Sequence, residues 1–487
     1  MTRIEPIEEW DVLDLLTSLV DKSLVVYEED EQGAGRYRLL ETVRQYARDK
    51  LAERGASEAA RHRHRDYFLG FAEAAEPELR GPQQKSWCDR LETEHDNLRA
   101  VLDWCLGDAT GGAAALRLGY ALHRFWWTRG YLREGQSYLQ EALARPEATG
   151  RLRSRALTAA ALMAYGTRDS AGAYALQQES LRLAEEVGDN EIVIASCYRF
   201  GMVAFYQSDF ATARSCLERA LHLAREMNHA VWEAYCLVSL GVVHLLAGEH
   251  QEARQYFAVS LHVAGQCGQL ESEALCHLGY GMLSYFEGDI AAARSSLERG
   301  LAQLQDGDLR TWQPSALESL GRVLGEQGEY SAARVYLEAA VNMNQDMGRR
   351  GEEAHSLVGL ARLSVQEDAL SQARRGLRQA LPLLQELGMK YEVAEVVELT
   401  AQIRAREGLW GGAARLYGAA ASLRERTDSP MLTYLQKAHQ SSVAVVAERM
   451  GEAAYAIAWQ AGRDMTIDQA IACAREVLDE SEPHGSR

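Results

Sequence analysis

Lysine is almost missing from this chain. Only five occur in 487 residues, at 22, 50, 85, 390 and 437, so arginine carries nearly all the positive charge. None of the five stands in a GxxxxGK[ST] loop, whose backbone N–H groups and lysine would cradle nucleotide phosphates. Proline is equally scarce, with eight residues, as long helices require, because each proline removes a hydrogen bond and crowds the preceding turn. No run of about 18 apolar residues exists, which excludes a membrane-spanning helix, and Met1-Thr2-Arg3-Ile4-Glu5-Pro6 lacks a signal peptide's basic-then-apolar pattern. The eight cysteines form no CxxC pair and no Cys/His zinc spacing. They read as buried reduced thiols, which fit a cytoplasmic protein. HExxH, GxSxG and GxGxxG are all absent, so no catalytic residue, metal ligand or cofactor is assigned. The net charge of −18 opposes overall attraction to nucleic acid or anionic lipid.

What the chain does have is a period. Small residues recur every 40 positions at Gly201, Gly241, Gly281, Gly321, Ala361 and Ala401. An Ala-Arg pair keeps the same step at 213–214, 253–254, 293–294, 333–334 and 373–374. Large apolar residues do so at Leu217, Phe257, Leu297, Leu337, Leu377 and Tyr417. A further small column runs Ala220, Ser260, Gly300, Ala340, Ala380 and Ala420. Each column has a physical task. The small residue midway along a first helix admits a partner helix. A glycine turn follows, as at Gly248-Glu249-His250 and Gly288-Asp289-Ile290. Offsets 0, +4 and +7 then place an alanine, a large apolar and a small residue on one helical face. One such hairpin cannot bury its own apolar face, so neighbours must stack.

These columns resemble the tetratricopeptide (TPR) family in order and spacing, which implies an all-α, right-handed α-solenoid of helix hairpins. The departure is length: the family unit is about 34 residues, and the extra residues here are expected in the second helix or the link, as at Glu226-Met227-Asn228-His229. Longer units of this kind resemble the sensor arrays of large bacterial regulators. Clear units run from about 191 to 427, a weaker one spans 151–190, and another near Gly119 and Gly130-Tyr131 is shifted by two residues.

The flanks read differently. Val12 to Ser23 suggests a helix leading into a strand at Leu24–Tyr27, Gly33-Ala34-Gly35 a hairpin tip, Arg36-Tyr37-Arg38-Leu39 the return strand, and Leu40 to about Arg54 a helix ended by Gly55. Leu19-Val20-Asp21-Lys22-Ser23-Leu24 together with Arg36 to Arg44 resembles the winged-helix segment that follows the nucleotide-binding module in bacterial signal-transduction ATPases with numerous domains, many of them transcriptional regulators of the LuxR and AfsR types. Glu92 to Ala100 is similar to their link into the repeats, and Ala414 to Ala420 with Trp459-Gln460-Ala461-Gly462-Arg463 to their terminal region. The expected organisation is a partial winged-helix (α+β) module at 1–58, a helical linker at 59–118, a TPR-like array at 119–427 and a C-terminal helical cap at 428–487. ATP binding is not carried over, since the phosphate loop is missing.

The TPR resemblance implies that first helices line a concave groove. It places Tyr198, Met202, Phe205, Tyr206, Tyr235, Leu245, Met282, Tyr285 and Phe286 there as an aromatic and methionine-rich middle. Toward the C-terminus the same positions hold Glu318, Arg322, Glu326, His355, Arg362, Gln366, Glu395, Glu398, Gln402 and Arg406, a polar stretch. The expected partner is a protein or peptide, or a small effector. The same apolar residues could instead touch the next unit, or the superhelix could close on itself. Arg36 to Arg65 carries nine basic against four acidic residues, with Arg44 and Arg48 on one helix face, so DNA contact is the alternative. His62 and His64, two apart on a helix, point about 200° apart and do not form a metal pair. The arginine column at 214, 254, 294, 334 and 374 reads either as a ladder for an acidic partner or as i,i+4 pairs with Glu218, Glu298 and Glu338.

Overall fold

The computed structural model describes residues 11–29, 35–167, 169–206, 209–427, 431 and 433–480. The chain divides into two compact units, residues 1–70 and 71–487.

The first unit opens with α1 (Asp11–Asp21), then pairs β1 (Val25–Glu29) with β2 (Gly35–Leu39) antiparallel, Tyr27 opposite Tyr37. Strand β1 opens on Val25-Val26-Tyr27 and β2 alternates arginine with Tyr37 and Leu39, residues that favour strands where they are β-branched or aromatic. The two tyrosine rings lie 5.1 Å apart. Gly33 and Ala34 of the expected tip lie outside the described residues. Helix α2 (Glu41–Glu53) ends as the sequence indicates. Gly55 adopts φ 65°, and Gly55 and Ala56 donate to the carbonyls of Ala52 and Leu51. Helix α3 (Ser57–Ala75) carries the division between the units.

In the second unit a 3-10 turn at Glu76–Arg80 leads into α4 (Gln84–Thr93) and α5 (His95–Gly107). Then hairpins stack: α6 (Gly112–Arg129) with α7 (Leu132–Leu143), α8 (Gly150–Gly166) with α9 (Ser170–Val187), α10 (Asn190–Tyr206) with α11 (Phe210–Glu226), and α12 (Ala230–Leu246) with α13 (His250–Cys267). The series continues with α14 (Leu270–Glu287) and α15 (Ile290–Asp306), α16 (Gln313–Glu326) and α17 (Tyr330–Asp346), α18 (Arg350–Gln366) and α19 (Leu370–Glu386), and α20 (Lys390–Arg406) and α21 (Trp410–Arg426). Helices α22 (Thr433–Met450), α23 (Glu452–Arg463) and α24 (Ile467–Asp479) follow.

Why the period is 40 is now visible. In a typical unit each helix has 17 residues, about 25 Å, and each is followed by a three-residue turn. The length is divided evenly rather than added to the second helix or the link alone. Two left-handed columns, 20 residues out of phase, set the turns: Gly248, Gly288, Gly328, Asp368 and Gly408 within units, and Gly188, Asn228, Gly268, Asp308, Gly348 and Gly388 between them. Asn and Asp are the non-glycine residues that tolerate this conformation best. Asp209 and Asp289 cap the helices that follow, accepting from the backbone N–H of Thr212 and Ala292 at 3.0 Å.

The small column does what its size allows. A Cβ on Gly201, Gly241, Gly281 or Gly321 would come within 2.5–2.7 Å of the large residue at Leu217, Phe257, Leu297 or Leu337. Those large side chains are therefore seated over a bare backbone. At the C-terminal end, α21 and α23 cross at Gly418 and Gly462, where a Cβ would strike Trp459 and Arg415 backbone.

The arginine column corrects the sequence reading. Of the expected i,i+4 pairs, the structure shows Arg294–Glu298, at 2.9 Å. The consistent partner lies one unit on. Arg214 reaches Glu249 at 2.8 Å, Arg254 reaches Glu287 at 2.8 Å, Arg294 reaches Glu329 at 2.8 Å, and Arg374 reaches Glu407 at 2.6 Å, while Arg334 pairs with Glu367. The column ties each second helix to the turn of the following hairpin.

The array also returns on itself. The Arg310 N–H donates to Thr128 O at 3.0 Å, and Thr311 Oγ1 donates to Trp127 O. Arg349 donates from Nε to Gly166 O at 3.1 Å and from Nη1 to Thr311 O at 2.7 Å. The ends of α6 and α8 thus meet the turns before α16 and α18.

Candidate ligand-binding site

Helices α10, α12, α14 and α16 present their inner faces to one another. Between them lies an apolar groove of about 260 Å³ that holds five of the residues placed there from sequence: Tyr198, Met202, Phe205, Leu245 and Met282. Trp312, Ser315 and Ser319 close its far wall. The spacing explains the convergence. On each first helix the residues at one 40-residue phase and one turn further on face the same way.

Three further positions go elsewhere. Tyr235 is buried outside the groove, its hydroxyl bonded to Arg124 Nη2 at 2.7 Å, Gln269 Nε2 at 2.7 Å and Glu271 Oε2 at 2.6 Å. Tyr285 lines the polar cavity described next. Phe286 is half-buried against the core around α14 and α15 and stacks on His250 with ring centroids 6.2 Å apart. The side chain of Tyr206 lies outside the described residues. Tyr235 and Phe286 share the 40-residue phases of Leu275 and Leu246, which do line the groove, so the phase alone does not decide which unit presents a residue there.

The polar stretch forms a cavity of about 210 Å³ lined by Glu318, Arg322, Glu326, Arg362, Gln366 and, farther along, Glu395, Glu398, Gln402 and Arg406. Its charges are largely paired inside the array. Arg322 reaches Glu318 at 3.3 Å, His439 reaches Glu398 at 2.9 Å, and Arg362 and Arg424 pair with Glu395 and Glu398. His355 lies 3.0 Å from Glu318 and 3.7 Å from Glu392. Glu318 above all, against the opposing effect of burial, pushes the His355 pKa up to about 10. A histidine raised from its unfolded value of about 6.5 adds stability that is complete below that pH and is lost as pH rises through about 10. Urea midpoints between pH 6.5 and 10 should therefore fall in the wild type and stay flatter in His355→Gln; parallel curves would contradict the pairing.

Sequence reasoning missed a second group, beside the groove. Arg124 on α6 donates to Glu271 Oε2 at 2.5 Å, and Trp312 Nε1 donates to Glu271 Oε1 at 2.6 Å. All are drawn from positions far apart in the chain. Burial would raise the Glu271 pKa, but Arg124 and the hydrogen bonds from Tyr235 and Trp312 hold it below the ordinary carboxylate range. Arg199, next to Tyr198, borders a small cavity that Arg124, Tyr235, Glu271 and Trp312 also line. One signal was available: the column that follows Arg199 reads Ser239, Gly279, Ser319 and Gly359, so a large charged residue breaks a run of small ones.

In the first unit Arg44 is engaged with Glu41, while Arg48 is exposed on the same helix. Among the described residues no group of three or more His, Cys, Asp or Glu is arranged to hold a metal ion, and no helix is long and apolar enough to cross a membrane.

Comparison with known proteins bears on both units. Residues 2–52 match a winged helix-turn-helix domain, and residues 195–458 match the MalT-like TPR region. Proteins named as HTH-type transcriptional regulators in Mycobacterium bovis and Mycobacterium tuberculosis are 38% identical over 216 residues, covering 42% of this chain and 24% of theirs. The chain spans about a quarter of the length of these curated relatives. Among solved structures, a Rap protein complexed with Competence and Sporulation Factor superposes with a TM-score of 0.55 at 12% identity, over 76% of this chain and 99% of the other, a likeness of fold. The stacked 40-residue hairpins, the closing helices at Gly418 and Gly462 and a family match over more than half of the sequence lead to one conclusion: the chain belongs to the MalT-like TPR family.

Proposed function

We propose that this chain is a non-catalytic sensor or scaffold of a bacterial transcription-regulating system, and that it works by binding the apolar face of a peptide or protein segment in the groove between α10, α12, α14 and α16. The observation that carries the reading is the groove itself. Tyr198, Met202, Phe205, Leu245 and Met282 meet there around about 260 Å³ of apolar space inside an otherwise acidic protein. Apolar concavities with a few polar groups at the rim are the usual form of a binding site, and methionine adapts to varied partners. The regulator names of the mycobacterial relatives and the factor bound to the Rap protein of similar fold point the same way.

Selection of random 12-residue peptides on the purified chain should return sequences rich in aromatic and aliphatic residues. Met282→Asp should weaken their binding by about 30-fold or more, the effect of losing about 2 kcal/mol at a central contact. Selection of purely charged peptides, or unchanged affinity in Met282→Asp, would count against the groove.

DNA contact through the first unit is the second reading, favoured by the winged helix-turn-helix match and the exposed Arg48. Gel mobility at varied salt tests it. Phosphate contacts give affinity that falls steeply as salt rises, and Arg48→Ala should reduce that slope.

A further inference from the structure

Arg199 is 6% exposed, and among the described residues it has neither an ion-pair partner nor a hydrogen-bond acceptor; its Nε is shut off from solvent without a partner. The arginines around it are supplied. Arg80 has Glu76 at 2.9 Å and Glu191 at 3.9 Å, and Arg124 has Glu271 at 2.5 Å. His123, 3.3 Å from Arg80, is kept neutral by burial and by that arginine. Burial and the nearby Arg124 and Arg80 lower the Arg199 pKa to about 10, and Glu271, a carboxylate lining the same cavity, is engaged by Arg124, Tyr235 and Trp312 rather than by Arg199. A buried guanidinium with no counter-ion is costly, and a planar fork of N–H donors suits a carboxylate.

The cavity beside Arg199 is walled by Trp127, Trp232, Trp312, Tyr198 and Tyr235 and measures about 30 Å³. That holds one or two water-sized groups, the bulk of a carboxylate head rather than a larger polyanion. Tyr198 and Trp312 also line the apolar groove of about 260 Å³. Charge-binding and apolar spaces therefore share a wall.

We propose that Arg199 anchors a carboxylate whose apolar body fills the adjoining groove, so that the cognate ligand is an apolar molecule or peptide ending in a free carboxylate. The inference rests on the groove being the binding site, and its test separates the two. Binding to the full chain is followed by tryptophan emission, since three tryptophans wall the cavity. The probes are decanoate against decanamide, and one groove-selected peptide with a free C-terminus against its C-terminal amide. The wild type should prefer at least one acid over its amide by about tenfold or more, as a charge-assisted pair gives. Arg199→Met should bring that ratio to about one while leaving amide affinity in place, and should melt no lower than the wild type, because it removes an uncompensated charge. Arg199→Gln serves as a second variant with the same expectation. Preference for decanoate alone assigns a small apolar acid, and preference for the peptide acid alone a peptide C-terminus; either supports the anchor. Equal binding of acid and amide by the wild type, a preference that survives Arg199→Met and Arg199→Gln, or lower melting of both variants overturns it. The groove reading then still stands if Met282→Asp weakens acid and amide alike, and falls separately if it weakens neither.

Discussion

Truncating Phe257 to alanine should remove about 3–5 kcal/mol of stability, the range for emptying a buried aromatic site. The side chain is fully buried. Its ring occupies the space over two glycines at once: a Cβ on Gly241 or on Gly279 would approach it to 2.5 Å. It also packs on Tyr280, with ring centroids 5.5 Å apart. The sister positions use Leu217, Leu297, Leu337 and Leu377, and of these Leu337 lies 2.7 Å from a Cβ on Gly321 and 3.5 Å from one on Gly359. Phe257→Leu is therefore the informative control and should cost less than about 1.5 kcal/mol. The denaturant midpoint followed by far-ultraviolet circular dichroism measures both. A Phe257→Ala loss below 1 kcal/mol, by the scale of such substitutions, would show that stacked units relax into the cavity and that the column is not a packing column.

The second large effect concerns Glu271. It is 2% exposed and accepts from Arg124, Tyr235 and Trp312, groups on α6, α12 and the turn before α16. Glu271→Ala leaves Arg124 buried without a counter-charge, which should cost about 3–5 kcal/mol. Adding Arg124→Met should restore part of the loss, because the double variant strands no charge; a double variant less stable than Glu271→Ala alone would contradict the pairing. The carboxylate's pKa is lowered in the fold, so its contribution is present above the unfolded value of about 4.3 and is lost as pH falls through the lower folded value. As pH falls below about 4.3 and through the lower folded value, the wild type should accordingly approach the Glu271→Ala variant in stability.

Much of the architecture could be read from the residues because a repeat states each rule several times. Gly201, Gly241, Gly281 and Gly321 each face their large partner, and an error at one unit is corrected by the next. The groove was legible where one helix face decides it, as for Met202, Phe205, Leu245 and Met282. It was not legible where units differ at one phase: Tyr235 and Phe286 lie elsewhere, although Leu275 and Leu246, one unit away, line the groove. The arginine column was misjudged for a related reason. Residues four apart on one helix are obvious in sequence, while Arg254 and Glu287 meet only after hairpins stack. The cluster around Arg124, Arg199 and Glu271 lies farthest from the sequence. Its members come from different hairpins and converge because the array closes, a consequence of the small rotation each unit adds.

Binding on the inner face is tested most directly by photo-cross-linking with a groove-selected peptide. A photoreactive amino acid is placed at Met202 or Met282 inside the groove and, as the outer control, at Val335, which is 66% exposed on α17. Adducts at 202 and 282, competed away by unlabelled peptide and absent at 335, are the predicted result. Competed adducts at 335 with none at 202 or 282 would place the binding surface on the outside of the array and contradict the account.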